Sequence, residues 1–495
     1  MSLHKKSSRS IIIIVSMLVL SILVLLSSVL NASTPSPEMK KDAVKKVDSF
    51  SDTLTATSKK IWDYAELALE EYQSSQLLGE LMKKEGFTVE YGVAGLPTAF
   101  VATYGTGKPV IGILGEFDAL PGISQKAGLT VQDPVKEHAP GHGCGHNLLG
   151  VAGAGGALAV KSVMEKYKLT GTIKFFGCPA EETAEGKTYM ARDGVFSGLD
   201  ICLDWHPGDD NVVDLDSNQA LNSFEVIFHG KTSHAAWDPW SGRSALDGIE
   251  LMDVGVNFLR EHVPTTVRIH YVILDGGGAP NVVPAYARAW YYVRGKDRQE
   301  VDSVYERVLK IAEGAALMSG TTHEIHFKTG VYNYLKNRAV AELIYRNLQL
   351  VKGPVFTDEE KEFARKLQKK LKVKEEGLRE EIKPMLEPSP VIGGGSTDVS
   401  DVSWIVPTAS LSTSCFPYGI PGHHWSIVTC TGSSIGMKGM LTAAKVIAAS
   451  AVEALTNPQI ITKAQKEFQE KTKGFVYKCA IPAEQKPPAK PRKNF

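Results

Sequence analysis

Between Gly141 and Asn147 the sequence alternates glycine with three side chains that bind metals, His142, Cys144 and His146. Glycine puts no Cβ on a short arc of backbone, so such a segment can turn its donors inward. A thiolate with imidazoles suits a borderline divalent ion, Zn²⁺ first and Mn²⁺ less well. Further along, Glu181-Glu182 follows an apolar run. Two glutamates in a solvated turn need no special role. Beside a metal the pair divides, one carboxylate ligating while its neighbour takes a proton from the attacking water. His206, after Asp204-Trp205, and His423-His424, before Trp425, offer further neutral nitrogen donors. Asp118, in Glu116-Phe117-Asp118, offers a carboxylate to orient a ligand histidine, or equally a cap for a turn. A second chemistry is open to the same residues: Cys144 as nucleophile with His142 or His146 as its base. Side chains on one short arc seldom reach the geometry that such a pair needs. His234 and Asn281 lie in Gly- and Pro-bearing segments, where each fits an ordinary turn as well as contact with a substrate carbonyl.

Short apolar runs deliver most of these residues. Runs at 110–114, 173–176 and 200–203 precede Glu116-Asp118, Glu181-Glu182 and His206; a run at 408–412 precedes His423 at some distance. Ala-rich helical stretches, 148–167 and 436–455, lie between or after them. Strands alternating with helices indicate an α/β domain with a mainly parallel sheet, covered on both faces. Ligands of such sheets gather beyond the carboxyl ends of the strands, so clusters far apart in sequence can meet on one rim.

Residues 220–330 follow another rhythm. Alternating runs at 223–229, 267–273, 286–293 and 322–327 read as strands. Ala245, Ile249, Met252, Val256 and Leu259 form one helical stripe, and Val301, Val304, Val308, Ile311 and Ala315 another. The order β-α-β-β-α-β is that of a ferredoxin-like α+β unit. It reads as an insertion, dividing the rest into catalytic halves at 40–219 and 331–460. A polar linker is expected over 36–48, helices over 44–71 and 73–85, a charged surface helix pair over 357–384, and a tail over 461–495, disordered from Gln485 onward.

With 495 residues the chain exceeds one ordinary domain. Its 43% hydrophobic and 22% charged residues exclude a mostly disordered, collagen-like or polytopic membrane protein. Fifty-five basic residues balance 55 acidic ones, so no global field favours nucleic acid or an anionic membrane, and no nucleic-acid partner is expected. The six cysteines are widely spaced and form no dense disulfide framework. Lys5, Lys6 and Arg9 precede an uncharged apolar run over 11–30, the pattern of an export signal and just long enough to span a bilayer. Residues 1–35 are therefore expected to be a cleaved signal peptide or a retained anchor. The body is expected outside the cytoplasm, touching the membrane only through that segment.

Taken together, the motifs Gly115-Glu-Phe-Asp-Ala-Leu-Pro-Gly122, His142/Cys144/His146, Glu181-Glu182, Ser233-His234-Ala235, Ala279-Pro-Asn-Val-Val-Pro284, Gly395-Ser-Thr-Asp398 and His423-His424-Trp425-Ser426 resemble those of the aminoacylase/glutamate-carboxypeptidase superfamily of metallopeptidases. The resemblance covers about residues 45–455 and is strongest to the branch of aminobenzoyl-glutamate utilisation proteins and Xaa-Arg dipeptidases. It implies a metal-dependent amidohydrolase whose inserted unit is a dimerisation domain. Two divalent ions, Zn or Mn, would be held by Cys144, His146, Glu182, His206 and His423, with Glu181 as general base. His423 is preferred to His424 because relatives carry a histidine, one variable residue and a tryptophan. In a homodimer His234 would reach the partner's site and stabilise the oxyanion, with Asn281 helping to bind the substrate, an N-acyl amino acid, aminobenzoyl-glutamate-like compound or dipeptide. Glu116 stands where more distant branches carry a metal-binding histidine. Thr397 replaces a glutamate of the indole-acetyl and hippurate branches, which argues against those substrates. An export segment is unusual for the aminobenzoyl-glutamate enzymes and argues against a folate-salvage role. An inactive, membrane-tethered binding protein on the same fold is the remaining alternative, disfavoured because all five ligand positions and the base are present.

Overall fold

The structure, a computed structural model, describes residues 37–183, 185–389 and 393–488. The segment expected to be a signal or anchor lies outside the described residues, as does the end of the tail.

Two helices, Pro37–Ser49 and Ser51–Tyr64, open the described chain, followed by a third, Tyr72–Lys84. Residues 37–48 of the expected linker are therefore helical. Ala43 and Val47, four residues apart, are buried, and that apolar pair gives the polar segment a face to bury. The helix expected over 44–71 is broken at Phe50 and ends at Tyr64, where Ala65 takes a left-handed conformation (φ 43°) and closes it.

The large sheet contains β1 (Thr88–Tyr91), β2 (Phe100–Thr106), β3 (Val110–Glu116), β4 (Gly171–Cys178), β5 (Ile201–Gly208) and, last in the chain, β10 (Thr408–Ser414). Their order is β1-β2-β4-β3-β5-β10. β4, β3, β5 and β10 run parallel, while β1 and β2 extend the β4 edge antiparallel. The parallel strands are those whose apolar runs are legible in the sequence; β1, only four residues long and largely exposed, is not.

The helices His146–Tyr167 and Ser434–Thr456 cover the sheet and pack on each other. Both are apolar enough to span a membrane, but they are mostly buried inside the protein and serve as core helices. Glycine permits the close approach: a Cβ at Gly153 would stand 2.6 Å from the Leu114 carbonyl of β3.

Between β5 and β10 the chain makes the inserted unit. β6 (Ala220–His229), a helix Ala245–Leu259, β7 (Arg268–Asp275), β8 (Tyr286–Gly295), a helix Arg298–Ser319 and β9 (Thr322–Val331) form an antiparallel sheet of order β7-β8-β6-β9. This is the ferredoxin-like arrangement expected from the two helical stripes. Its core is separate from that of the large sheet: Phe224, Ile249, Val256, Tyr291, Val304 and Val308 meet within it.

Two expectations near the end of the chain are corrected. Residues 357–384 hold one helix, Asp358–Leu371, whose capping box on Thr357 and Glu360 starts it and whose left-handed Lys372 ends it. Ala364 and Leu367 are buried, so it is no freely solvated helix. The tail begins with another helix, Pro458–Lys471, and then returns to the body. Ile481 is buried, and the Gln485 amide donates to the Lys328 carbonyl (2.8 Å) and the Tyr189 hydroxyl (3.2 Å).

Candidate metal centre

The carboxyl ends of β3, β4, β5 and β10 open onto a cavity of about 520 Å³ between the large sheet and the inserted unit. Glu116, Cys144, Glu181, Glu182, His206 and His423 all line it.

The arc 141–147 ends by starting a helix. Gly145 caps His146–Tyr167 in a left-handed conformation (φ 83°), which a side chain would strain, and a Cβ there would meet Pro207. The arc divides its three donors. His142 points away from the cavity: fully buried, it donates from Nε2 to the Ile61 carbonyl (3.0 Å), and burial pushes its imidazole down to about 4. Cys144 Sγ lies 3.3 Å from His206 Nε2, whose ring is fixed by an Nδ1–H bond to the Pro207 carbonyl (2.8 Å). His206 sits within β5 rather than after it. Donating from Nδ1 leaves the Nε2 lone pair toward the cavity, the arrangement of a metal-ligating histidine.

His146 is held in the same way. Its Nδ1–H donates to Asp118 Oδ1 (2.8 Å), and Asp118 Oδ2 accepts the Glu182 amide N–H (2.9 Å). One buried carboxylate thus orients a histidine and fixes the backbone of a candidate ligand. His146 Nε2 then faces Glu116 Oε2 at 3.2 Å and Glu182 Oε1 at 4.0 Å. On the far side of Glu182, Oε2 lies 3.6 Å from His423 Nε2.

His423 takes a left-handed conformation (φ 49°), which throws its ring toward the cavity. His424 is otherwise employed. Its Nδ1 accepts the Ser426 N–H (3.3 Å) and lies 2.9 Å from the Ser426 hydroxyl, capping the helix Trp425–Thr431.

Glu181 and Glu182 diverge because of a strained turn. Ala180 has φ 61°, a left-handed conformation that costs a non-glycine residue energy. Its amide donates to Glu71 Oε1 (2.8 Å), and the Thr98 hydroxyl donates to Glu71 Oε2 (3.0 Å). Glu71 is wholly buried, and burial, aided by the charge of Asp118, raises its carboxyl to about 8. The turn directs Glu182 toward His423, and a Glu181 oxygen into reach of both Glu116 and His146. Burial and the charges of Glu116 and Glu182 hold Glu181 well above the usual carboxylate range; burial brings Glu182 to about 7.

The donors meet in overlapping groups, Cys144–His146–His206, Cys144–Glu182–His423 and Glu116–His146–Glu181, with the ligand atoms of each group within 4.8 Å of one another. Three acceptor atoms at their centre, Glu116 Oε2, His146 Nε2 and Glu182 Oε1, are buried without a hydrogen-bond partner. Acceptors stranded together away from water are costly unless a cation satisfies them. The donor set therefore fits divalent metal. Burial pushes the Cys144 thiol far above its usual range, so without metal it is a neutral thiol and no activated nucleophile.

Three residues at the centre escaped the sequence reading. Glu71 orders the turn at Ala180. Lys187, wholly buried, places Nζ 2.6 Å from Glu116 Oε1 and 2.5 Å from Asp398 Oδ1. Asp398 belongs to a motif that carries the family resemblance, but nothing in its spacing names its partner.

His234 and Asn281 lie elsewhere. Both are exposed on the inserted unit, and neither lines the cavity. A backbone ladder joins their loops: the Ala235 N–H donates to the Asn281 carbonyl and the Val283 N–H to the Ser233 carbonyl, each at 3.0 Å. His234 Nδ1 accepts the N–H groups of Ala236 (3.2 Å) and Trp237 (3.0 Å), which leaves Nε2–H free to donate outward.

The peptidase family M20/M25/M40 model matches residues 112–214, and the peptidase dimerisation domain model matches residues 217–317. One of the subunits of the p-aminobenzoyl-glutamate hydrolase of Escherichia coli is 40% identical over 456 residues, covering 86% of this chain and 94% of its own. The human Xaa-Arg dipeptidase is 29% identical over 456 residues, covering 87% and 92%. Among solved structures, an aminobenzoyl-glutamate utilization protein from Klebsiella pneumoniae superposes with a TM-score of 0.58 at 17% identity, covering 82% of this chain and 97% of that one. A dinuclear metal-binding peptidase from Bacillus subtilis gives 0.56 at 17%, covering 83% and 99%. These two share the fold.

Proposed function

The chain belongs to the M20 peptidase family, and from that premise we propose how this metal-dependent amidohydrolase works and on what. The substrate class is an amide that joins an acyl group to an amino acid: an aminobenzoyl-glutamate-like compound, an N-acyl amino acid or a dipeptide. The observation that carries the reading is the set of buried, unpartnered acceptors ringed by Cys144, His146, Glu182, His206 and His423.

Two divalent ions, Zn²⁺ or Mn²⁺, held by those five residues would polarise the scissile carbonyl and acidify the attacking water. Glu181, beside the ligand group but free of the ligand role, takes the water's proton and returns it to the leaving amine. Its carboxyl, raised by burial, is suited to hold that proton in between. Asp118 keeps His146 in the tautomer that presents Nε2. Arg294, on the cavity wall and anchored to Ser396 Oγ (3.0 Å), offers positive charge to the free carboxylate of the amino-acid part.

The chain works as a homodimer through its inserted unit. His234, exposed and outside its own cavity, donates from Nε2 to the oxyanion in the partner's site, with Asn281 beside it binding substrate. The basic residues and apolar run at the N-terminus support a location outside the cytoplasm, secreted or anchored.

The deciding experiment strips the protein with chelator and restores it with Mn²⁺ or Zn²⁺. Aminobenzoyl-glutamate, dipeptides and N-acyl amino acids are then screened, and the mass in solution is measured. Metal-dependent release of an amino acid from at least one class by a dimer is expected. Folded protein that takes up no divalent ion overturns the mechanism.

A further inference from the structure

Glu116 lies outside the five-ligand set, yet its surroundings treat it as a ligand. It ends β3 fully buried, with Oε1 held 2.6 Å from Lys187 Nζ. Lys187 cannot drift. Its ammonium also pairs with Asp398 Oδ1 at 2.5 Å, and its backbone N–H donates to Asp398 Oδ2 at 2.7 Å. One carboxylate thus clamps both ends of a lysine that is itself closed off from water.

The clamp fixes the direction of the second Glu116 oxygen. Oε2 has no hydrogen-bond partner and faces His146 Nε2 at 3.2 Å, which has none either. Glu182 Oε1, equally unpartnered, stands 4.0 Å from the same nitrogen. Nδ1 of His146 is turned onto Asp118, which aims Nε2 at the two carboxylate oxygens. Glu116, His146 and Glu181 each bring one ligand atom within 4.8 Å of the others. Buried carboxylate oxygens crowded on one imidazole call for positive charge among them, and a divalent ion supplies it.

We propose that Glu116 is a further metal ligand, sharing one ion with His146, and that Lys187, fixed by Asp398, is the positioning residue that presents it. The inference rests on the metal-dependent reading above. It makes the two ends of the centre unlike. The Glu116 end is rich in oxygen and suits a hard ion such as Mn²⁺; the end with Cys144, His206 and His423 is rich in sulfur and nitrogen and suits Zn²⁺.

The test is metal retention, measured on the full chain by elemental analysis after dialysis against graded chelator, with electron paramagnetic resonance of the Mn²⁺-loaded protein. Glu116→Gln keeps the shape and can still accept from Lys187. It is expected to lose one of two ions at a chelator concentration about 10–100-fold lower than wild type, and to turn a coupled two-ion spectrum into that of an isolated ion. Lys187→Met is expected to shift retention in the same direction. In a Glu116→Gln/Lys187→Met double variant the two losses should not add, as befits one residue acting through the other. If Lys187→Met alone fails to fold with two unpaired carboxylates, Glu116→Gln/Lys187→Met/Asp398→Asn replaces it with a neutral trio. Folded Glu116→Gln that holds both ions as tightly as wild type overturns the proposal and leaves the amidohydrolase standing. Wild-type protein that takes up no ion removes the metal-dependent reading and this inference together.

Discussion

On the rim of the large sheet, Cys144 joins two donor groups inside a single chain, one with His146 and His206 and one with Glu182 and His423. On the inserted unit, His234 and Asn281 are joined by a backbone ladder but face solvent, outside that cavity. The rim residues are held from behind. Asp118 holds His146, the Pro207 carbonyl holds His206, Glu71 holds the turn before Glu181, and Lys187 holds Glu116. The loop residues are braced by neighbouring loop backbone and by Asp238, which accepts the His234 N–H. The first region is a finished cation receptacle. The second lies on the unit that matches a peptidase dimerisation domain, and in the proposed homodimer the partner would complete it. Similar side-chain chemistry thus rests on two kinds of support, one within the fold and, in the proposed dimer, one between copies.

Substitutions can break or sharpen this contrast. The largest effect belongs to the rim. Glu181→Gln should lower kcat by about 10²–10⁴-fold while both metals stay bound, measured by turnover beside metal content; near-normal turnover would remove Glu181 from the base role. His234→Ala should cost about 10²–10³-fold without loss of metal. Mixing it with Glu181→Gln chains should then restore activity, because a hybrid dimer pairs one intact base with one intact His234. A mixture no more active than its parts would place the action of His234 within its own chain and erase the contrast. Asp118→Asn should weaken metal binding by about 10–100-fold, read in a chelator competition, since an amide cannot hold His146 and the Glu182 amide as the carboxylate does. The smallest effect is expected at His424. Its loss to alanine should cost about 1 kcal/mol of stability as a lost helix cap, seen in denaturant unfolding, with turnover little changed. A collapse of metal binding instead would make His424 the ligand in place of His423.

Much of the rim was legible because parallel strands announce themselves as apolar runs, and because donors clustered with glycine, as at 141–147, are uncommon without a purpose. The inserted unit was legible from stripes such as Ala245, Ile249, Met252, Val256 and Leu259, all buried in the structure. What stayed hidden depends on pairing across long sequence distances. Lys187 in Glu185-Gly186-Lys187-Thr188 has the look of a surface lysine; only the fold brings Glu116 and Asp398 to it and makes its burial tolerable. Glu71 is likewise an ordinary acidic residue until it meets the Ala180 amide. The short antiparallel strands failed for another reason: β1 pairs with β2 at the edge and buries almost nothing, so its composition carries no period. His142 shows the opposite error. Its type and spacing matched the neighbouring donors, yet packing against Ile61 took it out of the cavity.

The turn at Ala180 ties catalytic geometry to a choice between two of the smallest residues. Glycine there would relax the chain by about 1 kcal/mol, and it would also let the two carboxylates that follow sample many orientations instead of one. The methyl group disfavours the conformation it sits in, so the turn is held there by Glu71 on the Ala180 amide. A homologue that exchanged this alanine for glycine would shed the strain and gain robustness to heat while blurring its aim.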